Sequence, residues 1–427
     1  MEPLLLVLLA VTMSIIFLIT LLIYDFDIMA PASLMTGTMA FSCVMAVTQL
    51  HNWILSMSFV GYAGLVLGIL VFIIASVWCS KQSQLPVIQM PLPDIEVRNF
   101  VFFLAMMLMV ILAFFSIKEI YQISVSLGND KGIFNTLRVL RPAIEAKQIE
   151  LSRWMSYRMF IAQAITYVYT YIFINRTISH GLSIYNVIYM IPGILYIPFL
   201  IATTGRMDML MYVIYFVVVA MLLYHKIKGY DINVNKKVIF VLLIAGIAFF
   251  TFFLLMGNFT GKTITEDRTP LVILAHYAGL SIPAFGVAVN TPILNSGYIG
   301  SNTLIGIYRG LSHISMQFPR VDLFLPFVQF SGIDTNVYTA EWRYILDYGF
   351  IGMMTIMSIL GLGYTFCYEY VKRHNVSPVI IMFYAMMAYP LFLSSIDERF
   401  MLGMIGTTPI YNFILLYVTF KLAVKRK

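Results

Sequence analysis

Long, uninterrupted apolar runs constrain this chain more than any other feature. The first run, LLLVLLAVTMSIIFLITLLIY at 4–24, contains no charged residue. A helix needs about 20 apolar residues to cross the hydrocarbon core of a membrane. A β-barrel would instead show short segments of alternating polarity. With 60% hydrophobic and 11% charged residues, the 427-residue chain is too apolar for a soluble globular domain. We therefore expect an all-α polytopic membrane protein.

The runs predict about eleven transmembrane helices, with 10–12 as the range, in a single integral membrane domain over residues 1–427. The first run has no basic segment before it and no small-residue cleavage site, so we interpret it as a retained span and not as a signal peptide. The predicted spans are 4–24, 33–50, 55–78, 100–117, 159–177, 183–203, 209–224, 238–256, 346–368, 377–394 and 403–420.

Basic residues in short loops predict the orientation, because such loops stay on the cytoplasmic side. The C-terminal tail KLAVKRK and the loops at 225–237 and 371–375 are basic, and counting spans places all three on one side. We expect that side to be cytoplasmic and the N-terminus to lie outside. Two long stretches then face outward, a first outer loop at 118–158 and a large outer loop at 257–345.

Arginine is concentrated on the predicted outer face. Ten of the 14 arginines fall in outward stretches, compared with four of the 13 lysines. A topology signal would treat the two residue types alike. The planar guanidinium fork binds phosphate and carboxylate groups in bidentate fashion, whereas lysine acts as a point charge. The pattern therefore favours an outer site for a phosphate-bearing or acidic ligand, with chance and packing on aromatic rings as the alternative.

Polar residues are densest in SGIDTNVYTAEWRYILDYGFIGM at 331–353, where the ninth predicted span begins. On a helix, Arg343 and Asp347 share one face, and Gly349 and Gly352 are small enough for a neighbouring helix to approach. The simpler interpretation is an interfacial ion pair in an aromatic belt. That interpretation does not explain why further polar residues lie just before and at the start of the same predicted span. They are Asp334, Asn336 and Glu341.

Other outward arginines suggest further phosphate contacts. Arg138 and Arg141 would share a helix face and could hold one phosphate, although an amphipathic helix whose cations meet lipid headgroups explains them equally well. Arg206 lies at the outer start of the seventh predicted span, and Arg399 lies in a tight outward turn. Either turn could also be a plain hairpin between spans.

Two histidines of the large loop, His276 and His313, are candidate general bases, because a neutral imidazole can accept a proton near pH 7. We find no nucleotide-binding, zinc-hydrolase or serine-hydrolase motif, and no basic domain outside the membrane that would bind nucleic acid. The sequence therefore predicts no cofactor and no metal site. The cysteines are scattered and form no disulfide or zinc pattern; they are Cys43, Cys79 and Cys367.

The segment NVYTAEWRYILDYGFIGMM at 336–354 resembles the NVYT and D-[FY]-G-x-x-G signature of Wzy-type oligosaccharide repeat unit polymerases, the O-antigen polymerase family. LVILAHYAGLSIPAFGVAVN at 271–290 and GSNTLIGIYRGL at 300–311 resemble two upstream segments of that family, in the same order. TTGRMDMLMYVIYF at 203–216 is similar to its Gly-Arg step before a mid-chain span. The resemblance covers roughly 200–370 of this chain.

The resemblance implies an enzyme of the Gram-negative inner membrane with a GT-C-like fold. Such an enzyme would be a glycosyltransferase of lipopolysaccharide biosynthesis. It would join oligosaccharide repeat units carried on undecaprenyl diphosphate at the periplasmic face, with the lipid diphosphate as leaving group. It would need no nucleotide sugar and no obligatory metal. The expected partners are the lipid-linked oligosaccharide, membrane lipid and a chain-length-determinant co-polymerase.

Together, the residues and the resemblance yield a set of candidate site residues. Diphosphate binding is predicted for the outer arginines, and acceptor activation for a carboxylate or histidine close to them. Aromatic rings could stack on sugar faces. The catalytic candidates are Arg343, Asp347 and His313. The substrate-binding candidates are Arg206, Arg309, Arg268, Arg320, Arg138, Arg141, Asn336, Tyr338, Trp342 and Tyr344.

Two other functions remain open. An O-antigen ligase would perform the same chemistry on a different acceptor, and His276 and His313 are compatible with it. A lipid-linked oligosaccharide flippase or transporter should carry charges inside several spans or show inverted repeats. The predicted spans are nearly free of charge and no inverted repeat is evident, which argues against the transporter.

Overall fold

A computed structural model of the chain shows that helices form most of it, which confirms the all-α class. The structure describes residues 2–83, 85–87, 89–130, 132, 135–136, 139–140, 143, 149, 151–202, 207–259, 269–291, 298–312, 315, 318 and 325–425. The helices before residue 260 are α1 (Glu2–Ile23), α2 (Pro31–Thr48), α3 (Phe59–Gln82), α4 (Asn99–Ser126), α5 (Arg153–His180), α6 (Ile184–Val187), α7 (Ile191–Ala202), α8 (Met207–Lys228) and α9 (Ile232–Phe259).

The second half of the chain mixes short helices with one very long helix. A small antiparallel hairpin precedes that long helix, and its strands are β1 (Val328–Phe330) and β2 (Ile333–Thr335). The helices are α10 (Pro270–Ala278), α11 (Ser281–Ala288), α12 (Ile305–Ser312), α13 (Ala340–Arg373), α14 (Pro378–Met387), α15 (Tyr389–Leu393), α16 (Phe400–Met404) and α17 (Thr407–Ala423).

Several helices are long and apolar enough to cross a membrane, so the multi-pass class is supported. Within the described residues six helices meet this standard, and the bent pair α10–α11 would make a seventh. The predicted spans 183–203 and 377–394 are helical but broken into shorter pieces. The total of eleven therefore stays a prediction. The six are Pro3–Ile23, Pro31–Thr48, Phe59–Gln82, Asn99–Ser126, Met207–Lys228 and Ala340–Arg373.

Large apolar side chains cover the outside of these helices. On α1, Leu4 and Leu18 are 71% and 58% exposed, and on α4 Phe103 and Phe114 are 59% and 62% exposed. In water such a continuous apolar surface would drive aggregation. Within a bilayer the same surface meets lipid chains, so the exposure pattern supports membrane insertion.

One end of the bundle collects the basic loops. Lys226, at the end of α8, donates a 2.8 Å hydrogen bond to the carbonyl oxygen of Val371 at the end of α13. Lys372 forms a 2.9 Å ion pair with Asp27 in the turn between α1 and α2. The C-terminal tail lies at this end as well. Val424 forms a backbone bridge with the segment before α4, and in that segment the backbone N–H of Met90 donates a hydrogen bond to the carbonyl oxygen of Lys226. We call it the basic end, and it comprises 24–30, 85–87, 89–98, 225–236, 369–375 and 424–425.

This arrangement confirms that the three basic stretches share one end. Because α1 finishes at the basic end, residue 2 lies at the opposite end, where α13 begins at Ala340. We call that opposite end the polar end, and it comprises 298–304, 339–347 and 394–399. Which side of a membrane each end faces stays a prediction.

The long helix α13 packs along α3 and is broken near its start. A Cβ atom on Gly68 would lie 3.1 Å from Sδ of Met353, so small residues on α3 allow the close approach. Gly349 has φ 69° and ψ −175°, which interrupts the helix. The expectation that Gly349 and Gly352 admit a neighbouring helix is wrong. A Cβ on Gly349 would meet nothing within 4 Å, and one on Gly352 would meet the Tyr348 side chain at the break.

Replacing Gly349 with alanine should destabilise the protein. Its backbone conformation is almost restricted to glycine, so Gly349→Ala should cost about 1–3 kcal/mol in the free energy of unfolding. Gly363→Ala is the matched control, because Gly363 lies in the regular part of α13 with open space around it. Alanine there should be neutral or stabilising by about 0.5–1 kcal/mol. Thermal unfolding of both purified variants measures the difference, and equal unfolding temperatures would contradict the expectation.

The predicted large loop at 257–345 contains more structure than the sequence indicated. Helices α10 and α11 pack against the membrane helices, with the Ser58 hydroxyl of the α2–α3 loop donating to the carbonyl oxygen of Gly286 at 2.9 Å. Phe285 is fully buried and meets Trp342 edge to face. Helices α10 and α11 lie in a stretch that was predicted to be an extramembrane loop. Through the Phe285 contact they pack against the first turn of α13.

Candidate functional site

The carboxylate of Asp347 organises the loop that precedes α12. It accepts hydrogen bonds from the backbone N–H of Asn302 at 3.1 Å and from that of Thr303 at 2.8 Å. The Asn302 side-chain amide and the Thr303 hydroxyl donate to it as well, at 2.8 Å and 2.7 Å. Both oxygens of Asp347 are therefore occupied, and they fix the loop against the first turns of α13 because hydrogen bonds to a charged acceptor are strong.

Arg343 lies one turn before Asp347 and is almost completely buried. Its Nη1 donates to the carbonyl oxygen of Asn302 at 3.3 Å, and its Nε lies 3.7 Å from a carboxylate oxygen of Asp397. Arg343 and Asp347 share a helix face as predicted, but they are bridged by the loop around Asn302. The planar guanidinium connects this loop to the turn after α15.

A second arginine converges on the same carboxylate. Nη2 of Arg399 lies 2.8 Å from Asp397, so two guanidinium groups flank one carboxylate. The Arg343 side chain is 6% exposed, whereas those of Asp397 and Arg399 are 23% and 28% exposed. The cluster is therefore open to a ligand on the Asp397 and Arg399 side and closed behind Arg343.

Glu398 holds the turn in place from inside. Tyr344 donates its hydroxyl to Glu398 at 2.8 Å, and the backbone N–H groups of Met401 and Leu402 donate to the same carboxyl group. Burial is the largest influence and raises the pKa of Glu398, while these backbone hydrogen bonds oppose the rise.

The turn at 394–399 is anchored to three other elements. The backbone N–H of Ala340, at the start of α13, donates to the carbonyl oxygen of Ser394 at 2.8 Å. Ser42 of α2 donates to the hydroxyl of Ser395 at 2.8 Å, and Ser281 of α11 donates to the Ser395 carbonyl oxygen. These bonds keep the two arginines at a defined distance, as a preorganised anion site requires.

No protein-family model, curated protein or solved structure matches this chain. The geometry of the polar end is therefore the basis for assigning a function.

The aromatic residues predicted to stack on sugars are packed inside the protein. Tyr338, Trp342 and Tyr344 are 3%, 5% and 0% exposed. Tyr338 donates its hydroxyl to the carbonyl oxygen of Pro326 at 2.7 Å. Rings whose faces are covered by protein cannot stack on a ligand in this conformation, so the structure assigns them to packing.

The polar residues near the start of α13 do not come together in one site. Asp334 is exposed on β2, Asn336 is half-buried, and Glu341 is fully buried with its Cγ against Gly68 of α3. Arg309 is exposed on α12, seven residues after the Asn302 that contacts Arg343. Arg309 thus remains available to a ligand near the cluster, whereas Glu341 faces the helix interface.

Several predicted residues cannot be placed. They lie outside the described residues, and their roles stay predictions; they are His313, Arg138, Arg141, Arg206, Arg268 and Arg320.

Sequence reasoning overlooked the residues that assemble the cluster. Asn302 and Thr303 lie 45 and 44 residues before their partner Asp347, a separation at which no local pattern predicts contact. Asp397 and Glu398 precede Arg399 in its tight turn, and no role was predicted for either of them. The signal that could have found them is the density of hydrogen-bonding residues in SNT at 301–303 and DER at 397–399. Within the described part of the chain, no group of three or more His, Cys, Asp or Glu side chains could hold a metal ion.

Proposed function

We propose that this protein polymerises lipid-linked oligosaccharide repeat units by glycosyl transfer at the polar end, with a polyprenyl diphosphate as leaving group. The observation that carries the proposal is the convergence of Arg343 and Arg399 on Asp397 at the membrane end of a helical bundle. Two guanidinium groups held by a rigid turn are suited to bind the oxygens of a diphosphate. The resemblance at 336–354 supports the same function.

The reaction needs charge stabilisation more than covalent chemistry from the protein. A hydroxyl oxygen of the acceptor sugar forms a bond to the anomeric carbon of the donor. The bond from that carbon to the diphosphate oxygen breaks, and the diphosphate leaves with the electron pair. The hydroxyl proton passes to a base. Negative charge grows on the departing diphosphate, where preorganised arginines lower the barrier.

The role proposed for Asp347 differs from the predicted one, and Asp397 receives a role that was not predicted. Asp347 uses both oxygens to hold the 301–303 loop, so it is a positioning residue that sets the place of Arg343. Asp397 contacts both guanidinium groups and thereby orients them. The general base stays a prediction at His313, outside the described residues.

A transport function has less support. Among the buried Asp, Glu, His, Lys and Arg side chains of the described residues, Arg343 and Glu398 lie at the polar end, and Glu341 packs further in, against Gly68 of α3. The others lie at the basic end, and they are Asp27, His225, Lys226 and Glu369. A transporter should place some of them along a path through the middle of the bundle. The O-antigen ligase is separated from the polymerase by experiment.

Deletion of the gene in its host is the direct test. Lipopolysaccharide on a silver-stained gel should change from a ladder to core plus one repeat unit, since the unit is still made, translocated and ligated. Plasmid-borne wild-type protein should restore the ladder. Loss of every O-antigen band from the core would overturn polymerisation and indicate a ligase or flippase. Accumulation of lipid-linked polymer outside the membrane would then identify the ligase.

A further inference from the structure

An apolar cavity of about 300 Å³ lies between the membrane helices. Its walls come from α1, α2, α8, α9, α15 and the turn between α1 and α2, and they include Phe17, Leu34, Val217, Gly246 and Phe392. Apart from hydroxyl groups on α2, the lining side chains are apolar. The cavity is separate from the arginine cluster, and the packing of the fold does not require it, since protein interiors are usually filled.

The cavity leads up to the turn that carries the arginine cluster. Thr38, which lines it, donates to the carbonyl oxygen of Leu391 in α15 at 3.3 Å. One helical turn further along α2, about 6 Å, Ser42 bonds to Ser395 of the turn. Phe392 lines the cavity and precedes Asp397 by five residues. An apolar chain in the cavity could therefore continue to a charged group at the cluster.

We infer that the cavity holds the first part of the prenyl chain of the lipid diphosphate, an inference that rests on the proposed function. Charge complementarity selects this occupant, because the two arginines above the cavity match a diphosphate better than the single phosphodiester of a membrane phospholipid. Within a bilayer, lipid chains are as apolar as the cavity walls, so the gain comes from close packing and shape. Because shape decides the packing, the cavity should bind a branched prenyl chain and a straight acyl chain with different affinity.

Gly246 allows the cavity to be filled without disturbing the cluster. A Cβ atom there would meet nothing within 4 Å, so Gly246→Leu places a side chain in open space on the cavity wall. Gly363→Leu is the matched control, since Gly363 is also exposed on a membrane helix with open space around it and does not line the cavity. Neither glycine belongs to the proposed diphosphate site.

The test uses purified protein in phospholipid nanodiscs and an undecaprenyl diphosphate that carries a photoreactive group in its first prenyl units. We expect labelled peptides from 213–217 and 242–246, and about tenfold less labelling in Gly246→Leu, because overpacking is costly. Gly363→Leu should label as the wild type does. A photoreactive phosphatidylethanolamine should label these peptides weakly and be displaced by unlabelled undecaprenyl diphosphate.

Two results would overturn the cavity assignment. One is unchanged labelling in Gly246→Leu, and the other is phosphatidylethanolamine labelling that the prenyl diphosphate does not displace, which indicates an ordinary lipid site. Failure of the proposed function has a different signature. If the proposed function fails, the gene deletion either leaves the polysaccharide ladder intact or removes every O-antigen band from the core, whatever the labelling pattern.

Discussion

Arg343→Lys is expected to lower polymer formation by about 100-fold or more, although it keeps the positive charge. Arg343 contacts the Asn302 carbonyl oxygen with one nitrogen and approaches Asp397 with another, which joins two separate segments. A single ammonium group cannot make both contacts in the plane that the guanidinium occupies. The measurement is the polysaccharide ladder made by a deletion strain that carries the variant, with the amount of protein in the membrane determined by immunoblot.

The matched control is Arg153→Lys. Arg153 is exposed at the first position of α5, which starts at the same end of the bundle as α13. Its replacement should leave the ladder unchanged. A wild-type ladder from Arg343→Lys at normal protein level would remove Arg343 from the site and leave the two-arginine proposal without its main support.

Asp347→Asn should reduce both stability and activity. The new amide group places a donor where the backbone N–H of Asn302 or Thr303 needs an acceptor, and each buried donor left without a partner costs about 1–3 kcal/mol. The loop that positions Arg343 would loosen, so polymer formation should fall by about 10-fold to 100-fold. Thermal unfolding of the purified variant, together with the ladder, measures the two effects.

A second substitution separates the positioning role from that of a general base. Thr303→Val removes one donor to Asp347 and leaves the carboxylate itself intact. If Asp347 positions the loop, Thr303→Val should show a weaker form of the same loss. If Asp347 is the base, Asp347→Asn should lower activity by about 100-fold to 10,000-fold with no loss of stability, and Thr303→Val should be almost normal. Asp334→Asn, at an exposed position on β2, is the control and should have no effect.

The membrane class and most helix positions were predictable because they depend on local composition. A run such as 4–24 must be helical in a bilayer, since no other conformation of one segment satisfies its own backbone hydrogen bonds there. The shared end of the basic loops was predictable for a related reason. Consecutive helices that each cross the membrane once must alternate in direction. Counting the helices therefore places Lys226 and Lys372 at the same end of the bundle without any use of a contact between them.

The candidate site was predictable only in part. Arg343 and Asp347 were found because they lie one helical turn apart in one short segment. The aromatic residues Tyr338, Trp342 and Tyr344 were misjudged, because aromatic rings near a membrane interface suit both ligand stacking and core packing. Only burial distinguishes these two uses, and burial depends on which helices meet there.

By itself, the sequence determined that the chain is a bundle of membrane helices and that Arg343 and Asp347 share one face of a helix start, because apolar runs and residue spacing act over single helices. The tertiary structure decided which charges meet. Asn302, Asp347 and Asp397 are far apart in the chain, and Arg343 is placed among them only when α13 packs on α3 and the turn at 394–399 docks beside it. Contacts between distant segments follow from the packing of the whole bundle, and no local pattern of residues specifies them.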